Sequence, residues 1–291
     1  MTTTTTTSGT PTSTSETAPA TPDEGSRSRL VPPPGEHLNT GWDDDVSNQD
    51  SVLRNYVATL VDRLRLLAGD GRARTCDLSN AFMVDLDSAY VFDNIVVPYG
   101  PMADAELAGV VAEAEAFFPE GRAWTLQALT AAVDLGPWGL ELLGHPPLMY
   151  RPAGTGRRPP VPAGLEIRKV DDAETLRDFE HTLVDAYPLP PGSAVLHPHV
   201  VHVGFDGWVG YVDGSPVATA GSHTAHGLTE VEWVSTRASH RGRGIGAALS
   251  WAATTAAPAQ AAVLVATDDG RPIYERLGYV ALMRLSMWLK A

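Results

Sequence analysis

Residues 235–247 read STRASHRGRGIGA and join a strand-like stretch to a helix-like one. Upstream, residues 228–236 alternate as a half-buried strand does, and downstream, apolar residues recur at helical spacing over 244–256. Glycines let backbone N–H groups approach an anion closely, and a helix N-terminus adds partial positive charge. Arg241 and Arg243 supply further phosphate donors. The stretch therefore predicts an anion-binding loop between a strand and a helix.

Two nucleotide-binding patterns are alternatives for this loop. Gly242, Gly244 and Ala247 fit a dinucleotide fingerprint, with Asp268 about 20 residues further on as its acid. That fingerprint follows an apolar strand directly and opens a doubly wound sheet, whereas residues 235–240 are polar and only 45 residues follow Gly246. A P-loop is excluded, since no Lys-Ser or Lys-Thr follows the glycines. Neither pattern fits well.

A second motif lies downstream, where residues 273–279 read IYERLGY. The pattern Arg241-x-x-Gly244-x-Gly246 resembles the pyrophosphate loop of the GCN5-related N-acetyltransferase (GNAT) superfamily, and residues 273–279 resemble its Y-x-x-x-G-[FY] segment. The resemblance covers residues 165–291. It implies an α/β fold with a mixed, mostly antiparallel sheet flanked by helices. It also implies transfer of an acetyl group from acetyl-CoA, the co-substrate, to a primary amine by direct attack in a ternary complex.

The resemblance also implies site residues. The loop would hold the pyrophosphate through its backbone, and the end of the preceding strand would lie along the pantetheine arm. The cofactor-binding residues would be Val234, Ser235, Thr236, Arg241, Gly242, Arg243, Gly244, Ile245, Gly246 and Ala247. Glu230 and Glu232 share one strand face where family members often place a general base, acting directly or through water, although both could be ordinary surface carboxylates. Tyr274 lies where the family often has a tyrosine near the CoA sulfur, as a general acid or a packing residue.

Composition divides the chain into four segments. Residues 1–48 are rich in Thr, Pro and acids and are expected to be disordered. Residues 151–164 are rich in Pro, Gly and Arg and resemble a linker. Two folded blocks remain, at 49–150 and 165–291. The second is the predicted N-acetyltransferase domain, and the first lacks the R-x-x-G-x-G motif.

The ends of the two blocks share residues at an offset of 134. Glu141, Leu143, Gly144, Leu148 and Met149 recur as Glu275, Leu277, Gly278, Leu282 and Met283. This match predicts a short helix ending at Leu143-Gly144 in the first block, as in the second. It favours two tandem GNAT-like domains, of which the first is degenerate and non-catalytic.

Charge and composition limit the classes of partner that we expect this protein to bind. The net charge is −14, which disfavours nucleic acid, and a single cysteine, Cys76, with no signal sequence or membrane-spanning stretch predicts a cytoplasmic protein. No metal is expected, and His197, His199 and His202 are interpreted as surface or pocket-lining residues. The acceptor would be a small-molecule or peptide amine, with self-association left open. The alternative function is a non-catalytic acyl-CoA-binding regulatory or scaffold protein.

Overall fold

The computed structural model describes residues 52–70, 73–87, 91–129, 133–186 and 204–291. All of them fall within one compact unit. The predicted disordered tail and the histidines at 197, 199 and 202 lie outside the described residues. We call residues 52–151 the first half and residues 165–291 the second half.

The two halves have a similar order of elements. The first half contains α1 Val52–Leu67, β1 Arg74–Asp77, β2 Ala81–Asp85, β3 Asn94–Pro98, α2 Asp104–Phe117, β4 Trp124–Ala128, β5 Glu141–Gly144 and β6 Pro147–Arg151. The second half contains β7 Leu165–Lys169, α3 Ala173–Ala186, β8 Phe205–Val212, β9 Ser215–Ala225, β10 Leu228–Thr236, α4 Ile245–Thr254, β11 Ala261–Val265, α5 Arg271–Arg276, β12 Val280–Arg284 and β13 Ser286–Lys290.

These strands form two mixed sheets flanked by helices. The first sheet has the order β1-β2-β3-β4-β13-β5, and the second has the order β12-β6-β11-β10-β9-β8-β7. Pairing is antiparallel except between β3 and β4 and between β10 and β11. The predicted fold class, a mixed and mostly antiparallel sheet flanked by helices, is therefore confirmed.

Each half contributes its last strand to the other half's sheet. Strand β6 lies between β11 and β12, where Tyr150 pairs with both Val263 and Val280. Strand β13 lies between β4 and β5, where Trp288 pairs with Leu126 and Leu142. Neither sheet is complete from its own half of the chain. The boundaries at 150 and 165 stay predictions, and Arg151, assigned above to the linker, is the last residue of β6.

The predicted helix before Leu143-Gly144 is wrong. A 3₁₀ turn spans Gly136–Trp138, and strand β5 follows because it pairs with β13. Strands in corresponding sheet positions begin 139 residues apart, at Glu141 and Val280 and again at Pro147 and Ser286. The offset of 134 instead aligns β6 with β12, which occupy different positions. The residue identities at an offset of 134 therefore do not relate structurally equivalent strands.

Helix α1 belongs to the first half but packs on strands of both sheets, including β2, β9 and β10. Its apolar face includes Tyr56, Leu60 and Leu64, each no more than 3% exposed. Burying such a side chain contributes roughly 1.5–3 kcal/mol. Arg63 lies within this apolar face and is 7% exposed. Because α1 packs on β10, Arg63 lies against the strand that precedes the glycine loop.

Candidate functional site

Strands β10 and β11 separate near the middle of the second sheet. They pair only from Leu228 to Glu230, although β10 continues to Thr236. On its other edge, β10 carries an extra residue between Glu232 and Ser235 relative to β9. Trp233 lies in this bulge at φ 51°, a left-handed conformation uncommon for a large side chain. The separated strand ends open a cleft.

The cleft has a volume of about 840 Å³. It brings together the end of β10, the glycine loop, the end of β11 and helix α5. The predicted residues that line it are Glu232, Val234, Ser235, Thr236, Arg241, Gly242, Gly244, Ile245, Gly246, Ala247 and Tyr274. Two predicted residues do not line it. Arg243 is exposed, and Glu230 is fully buried.

The loop has the geometry of an anion site. Gly242 and Gly244 adopt left-handed φ values of 74° and 81°, and Gly244 is the N-cap of α4. The first N–H groups of a helix lack partners within it, so those of α4 are available to an anion. A Cβ at Gly246 would lie 3.2 Å from the Thr236 hydroxyl oxygen, so a side chain there would crowd the cleft. The residues therefore fit the pyrophosphate of CoA.

Arg241 fixes the loop in place. Its Nε donates to the carbonyl oxygen of Thr236 at 2.9 Å, and its Nη2 donates to that of Ala186 at 3.0 Å. The side chain thus ties the loop to β10 and to the end of α3. Its use as a phosphate donor stays a prediction.

The two candidate carboxylates differ in their surroundings. Glu230 is 0% exposed, and Arg63 Nε donates to its Oε2 at 2.9 Å. Glu232 has a side chain 25% exposed, and its Oε1 lies 3.5 Å from Arg63 Nη2. Burial, with a smaller effect from Glu230, raises the pKa of Glu232 to about 7, and Arg63 opposes this rise. Glu232 therefore lines the cleft with a carboxyl group whose pKa is raised by burial.

Tyr274 lines the cleft from α5. Its ring packs edge-on against Tyr279, with the ring centroids 5.9 Å apart. The hydroxyls of Tyr279 and Thr254 share a hydrogen bond of 2.7 Å, which anchors that ring. A Cβ at Gly270 would lie 3.3 Å from the Tyr274 ring, so the turn before α5 also limits its position. The phenol is thus held at the wall of the cleft.

Arg63 is a residue of the site that the sequence analysis did not identify. It follows Leu60 and precedes Leu64 on the apolar face of α1, and a lone arginine in such a stripe is a signal for a buried charge partner. The guanidinium also lies 6.0 Å from the ring centroid of Trp233. Trp233 itself packs on Phe179 and Phe205 and also lines the cleft, so it has a core and a site role.

Three further features concern metal sites, membrane spans and the surroundings of Cys76. Within the described ranges, no cluster of three or more His, Cys, Asp or Glu side chains could hold a metal ion. None of the helices in that part of the chain combines the length and apolar character needed to cross a membrane. Cys76 is half-buried in β1 and packs against the core of the first half.

Comparisons with known proteins agree with this geometry. Residues 204–281 match the family model of the acetyltransferase (GNAT) domain. A GCN5-related N-acetyltransferase from Kribbella flavida has a TM-score of 0.65 and 25% identity, over 82% of this chain and 96% of that one. A putative acetyltransferase of the GNAT family from Novosphingobium aromaticivorans has a TM-score of 0.54 and 19% identity, over 84% of this chain and 98% of that one.

A third GNAT structure, from Sphaerobacter thermophilus, gives a TM-score of 0.52 at 16% identity, over 81% of this chain and 93% of that one. No curated protein matches this chain in sequence. Proteins of the GNAT family use acetyl-CoA as an acyl donor, so the match implies acyl-CoA-dependent acyl transfer. The chain has the GNAT fold, and its residues 204–281 are an acetyltransferase domain of the GNAT family.

Proposed function

We propose that the protein is an N-acetyltransferase that transfers an acetyl group from acetyl-CoA to a primary amine by direct attack in a ternary complex. One observation carries the proposal: the Glu232 carboxyl group lines the same cleft as the glycine loop and Tyr274. A base, an anion site and a candidate acid thus line one cavity.

The glycine loop and the end of β10 would hold the co-substrate. The N–H groups at the start of α4 suit the pyrophosphate, and Val234, Ser235 and Thr236 line the path that the pantetheine arm would follow. When bound, acetyl-CoA supplies an activated thioester carbonyl. Backbone donors directed at its oxygen would stabilise the charge that develops there.

Glu232 would act as the general base. A primary amine is an ammonium ion at neutral pH and must lose a proton before it attacks. A carboxylate whose conjugate acid has a pKa near the working pH accepts this proton efficiently, directly or through one water. Glu230 is occupied by Arg63 and does not line the cleft, so we assign it to holding that arginine.

Tyr274 would act as the general acid. The amine forms a bond to the carbonyl carbon, the carbon–sulfur bond breaks, and the departing thiolate needs a proton. The phenol of Tyr274 lines the same cleft as β10 and can donate that proton. Proton balance is then closed by solvent, which reprotonates Tyr274 and takes the proton from Glu232.

We place the single active site in the second half. In the first half, α2 occupies the position of α4, between strands β3 and β4 that pair in parallel. No glycine loop precedes α2, and the Glu106 carboxylate accepts a hydrogen bond from Ala103 N at 3.2 Å at its start. A negative side chain already fills the place that an anion would take. This supports a non-catalytic first half.

A thiol-release assay with acetyl-CoA and a panel of primary amines tests the proposal on the full chain. We expect turnover with at least one amine and a loss of about 10²-fold or more in kcat for Glu232→Gln, the size of a general-base contribution. Glu275→Gln, at an exposed carboxylate paired with Arg271, is the matched control and should keep full activity. CoA binding without turnover of any amine would support the acyl-CoA-binding scaffold instead.

A further inference from the structure

A second cavity, of about 210 Å³, adjoins the CoA cleft. The two cavities share Glu232, Trp233, Val265 and Thr267 as lining residues. We infer that this second cavity is the acceptor site and that it takes a small primary amine carried on an apolar carbon skeleton. The inference rests on the proposed function, because it assigns the substrate class of the same site.

Glu232 connects the two cavities. An amine held in the smaller cavity would meet this carboxyl group at the gap between β10 and β11, beyond which lies the cleft proposed for acetyl-CoA. The base would thus face the nucleophile from one cavity and the thioester from the other. This arrangement is what direct transfer in a ternary complex requires.

The first half of the chain builds much of the acceptor wall. Helix α1 supplies five lining residues, and the rest of the first half supplies five more, so the degenerate half would select the substrate. The α1 residues are Tyr56, Leu60, Arg63, Leu64 and Leu67. The others are Phe92, Asp93, Ile95, Gln127 and Pro146.

The wall favours an apolar skeleton. Most of its side chains are hydrocarbon or aromatic, among them Leu60, Leu64, Ile95 and Met287. Burial of apolar surface against them is favourable by roughly 25 cal/mol per Å². An amine rich in hydroxyls would lose hydrogen bonds to water here and regain few.

The polar groups of the wall largely satisfy one another. Gln127 Nε2 donates to the Tyr56 hydroxyl at 2.7 Å, and both side chains are buried. The charge of Arg63 is opposed by Glu230 and Glu232. Two carboxyl groups, those of Asp93 and Glu232, line this cavity, and Glu232 is the one that also lines the neighbouring cleft.

Volume limits the size of the acceptor. Pockets for drug-sized ligands span roughly 300–1,000 Å³, and this cavity is smaller. It suits a compact alkylamine or arylalkylamine better than an aminoglycoside.

The experiment compares amines and cavity variants in the full chain. We expect kcat/KM for 2-phenylethylamine and cyclohexylmethylamine to exceed that for glucosamine and serinol at least tenfold. Met287→Trp should fill the cavity and raise the KM of the apolar amine at least tenfold, with the KM of acetyl-CoA unchanged. Met102→Trp, half-buried in the core of the first half and away from both cavities, is the control.

The outcomes separate the two proposals. Turnover that favours the hydroxylated amines, or an unchanged acceptor KM in a folded Met287→Trp variant, would overturn the acceptor assignment and leave N-acetyl transfer standing. Absence of turnover with every amine would instead remove the proposed function. If Met287→Trp shows no cooperative thermal transition, Leu64→Phe provides the same test from a lining residue on α1.

Discussion

Arg63 Nε donates to Glu230 Oε2 at 2.9 Å and joins helix α1 of the first half to strand β10 of the second. Both side chains are buried, and a buried charge is tolerated only with a compensating partner. The same guanidinium lies 3.5 Å from Glu232, the candidate base. Arg63 of the first half therefore contacts both Glu230 and the candidate base of the second half.

Replacing Arg63 should change the pH dependence of catalysis. The positive charge of Arg63 lowers the pKa of Glu232 and partly offsets the effect of burial. The base works when deprotonated, so kcat/KM should rise with pH through about 7 in the wild type. In Arg63→Gln this rise should move to higher pH by about one unit, equivalent to about 1.4 kcal/mol. The pH profile of kcat/KM measures it.

Arg65→Gln is the matched control on the same helix. Arg65 is half-exposed and pairs with Asp77 at 2.5 Å, so its loss should leave the pH profile unchanged. Because Arg63→Gln leaves a buried carboxylate unpaired, Arg63→Lys serves as the conservative variant and should restore much of the wild-type profile. A lower melting temperature with an unmoved profile would assign Arg63 a purely structural role.

Glu232 should also make stability depend on pH. Its folded pKa of about 7 lies above the ordinary value of 4.5, so the native state binds this proton more tightly than the unfolded chain. The resulting stabilisation is complete below pH 4.5 and is lost as pH rises through about 7. It amounts to at most about 3 kcal/mol.

Urea unfolding at several pH values tests this dependence. Between pH 5 and pH 8, the free energy of unfolding of the wild type should fall relative to that of Glu232→Gln, which cannot titrate at this position. Parallel curves for the two proteins would show that Glu232 has an ordinary pKa in the folded state.

The second half could be predicted well because its signals are local in sequence. The predicted strand 228–236 matches β10, and the helix predicted over 244–256 contains α4. Asp213-Gly214, a dipeptide typical of tight hairpin turns, connects β8 and β9. Alternation, helical periodicity and turn residues determine such elements without reference to distant parts of the chain.

Features that depend on distant pairing were not predictable in this way. Residues 141–144 form strand β5 because they pair with β13, which lies more than 140 residues later in the chain. The sequence around Leu142 contains no signal of this pairing. The contact of Arg63 with Glu230 likewise spans 167 residues. A single sequence reports periodicity and composition, whereas these contacts follow from the docking of two halves.

Gly244→Glu should abolish CoA binding. The residue has φ 81° and begins α4, so a glutamate would be strained there and would put a negative charge beside the pyrophosphate. We expect at least 100-fold weaker CoA binding, measured as loss of CoA protection against thermal unfolding. Gly214→Glu is the control, because Gly214 has φ 75° in the β8–β9 turn and open space around it. Equal loss of protection in both variants would point to general destabilisation.

Tyr274→Phe should lower kcat at least tenfold and leave the KM of acetyl-CoA within about threefold, because only the proton donor is removed. The neighbouring Tyr279→Phe removes a buried hydroxyl paired with Thr254 and should reduce stability by about 1 kcal/mol with little change in kcat. Steady-state kinetics and thermal unfolding of both variants distinguish the roles. An unchanged kcat in Tyr274→Phe would leave the phenol with a packing role.

Strand exchange predicts that residues 165–291 do not fold alone. That fragment lacks β6, whose Leu148 and Met149 are 0% exposed, and so leaves β11 and β12 without the strand between them. We expect no cooperative thermal transition and no CoA protection from the fragment. The matched control is the full chain cut after Arg158, at the end of the exposed stretch at residues 152–158, which keeps both exchanged strands paired.

The cut chain should retain its melting temperature within a few degrees and its activity, since sheet pairing and α1 packing hold the halves together without a covalent link. A fragment 165–291 that unfolds cooperatively and is stabilised by CoA would show that β6 is dispensable. It would also show that CoA binding does not require the first half. Turnover by that same fragment would then contradict the assignment of Arg63 and the α1 wall to the acceptor side, because neither is present in it.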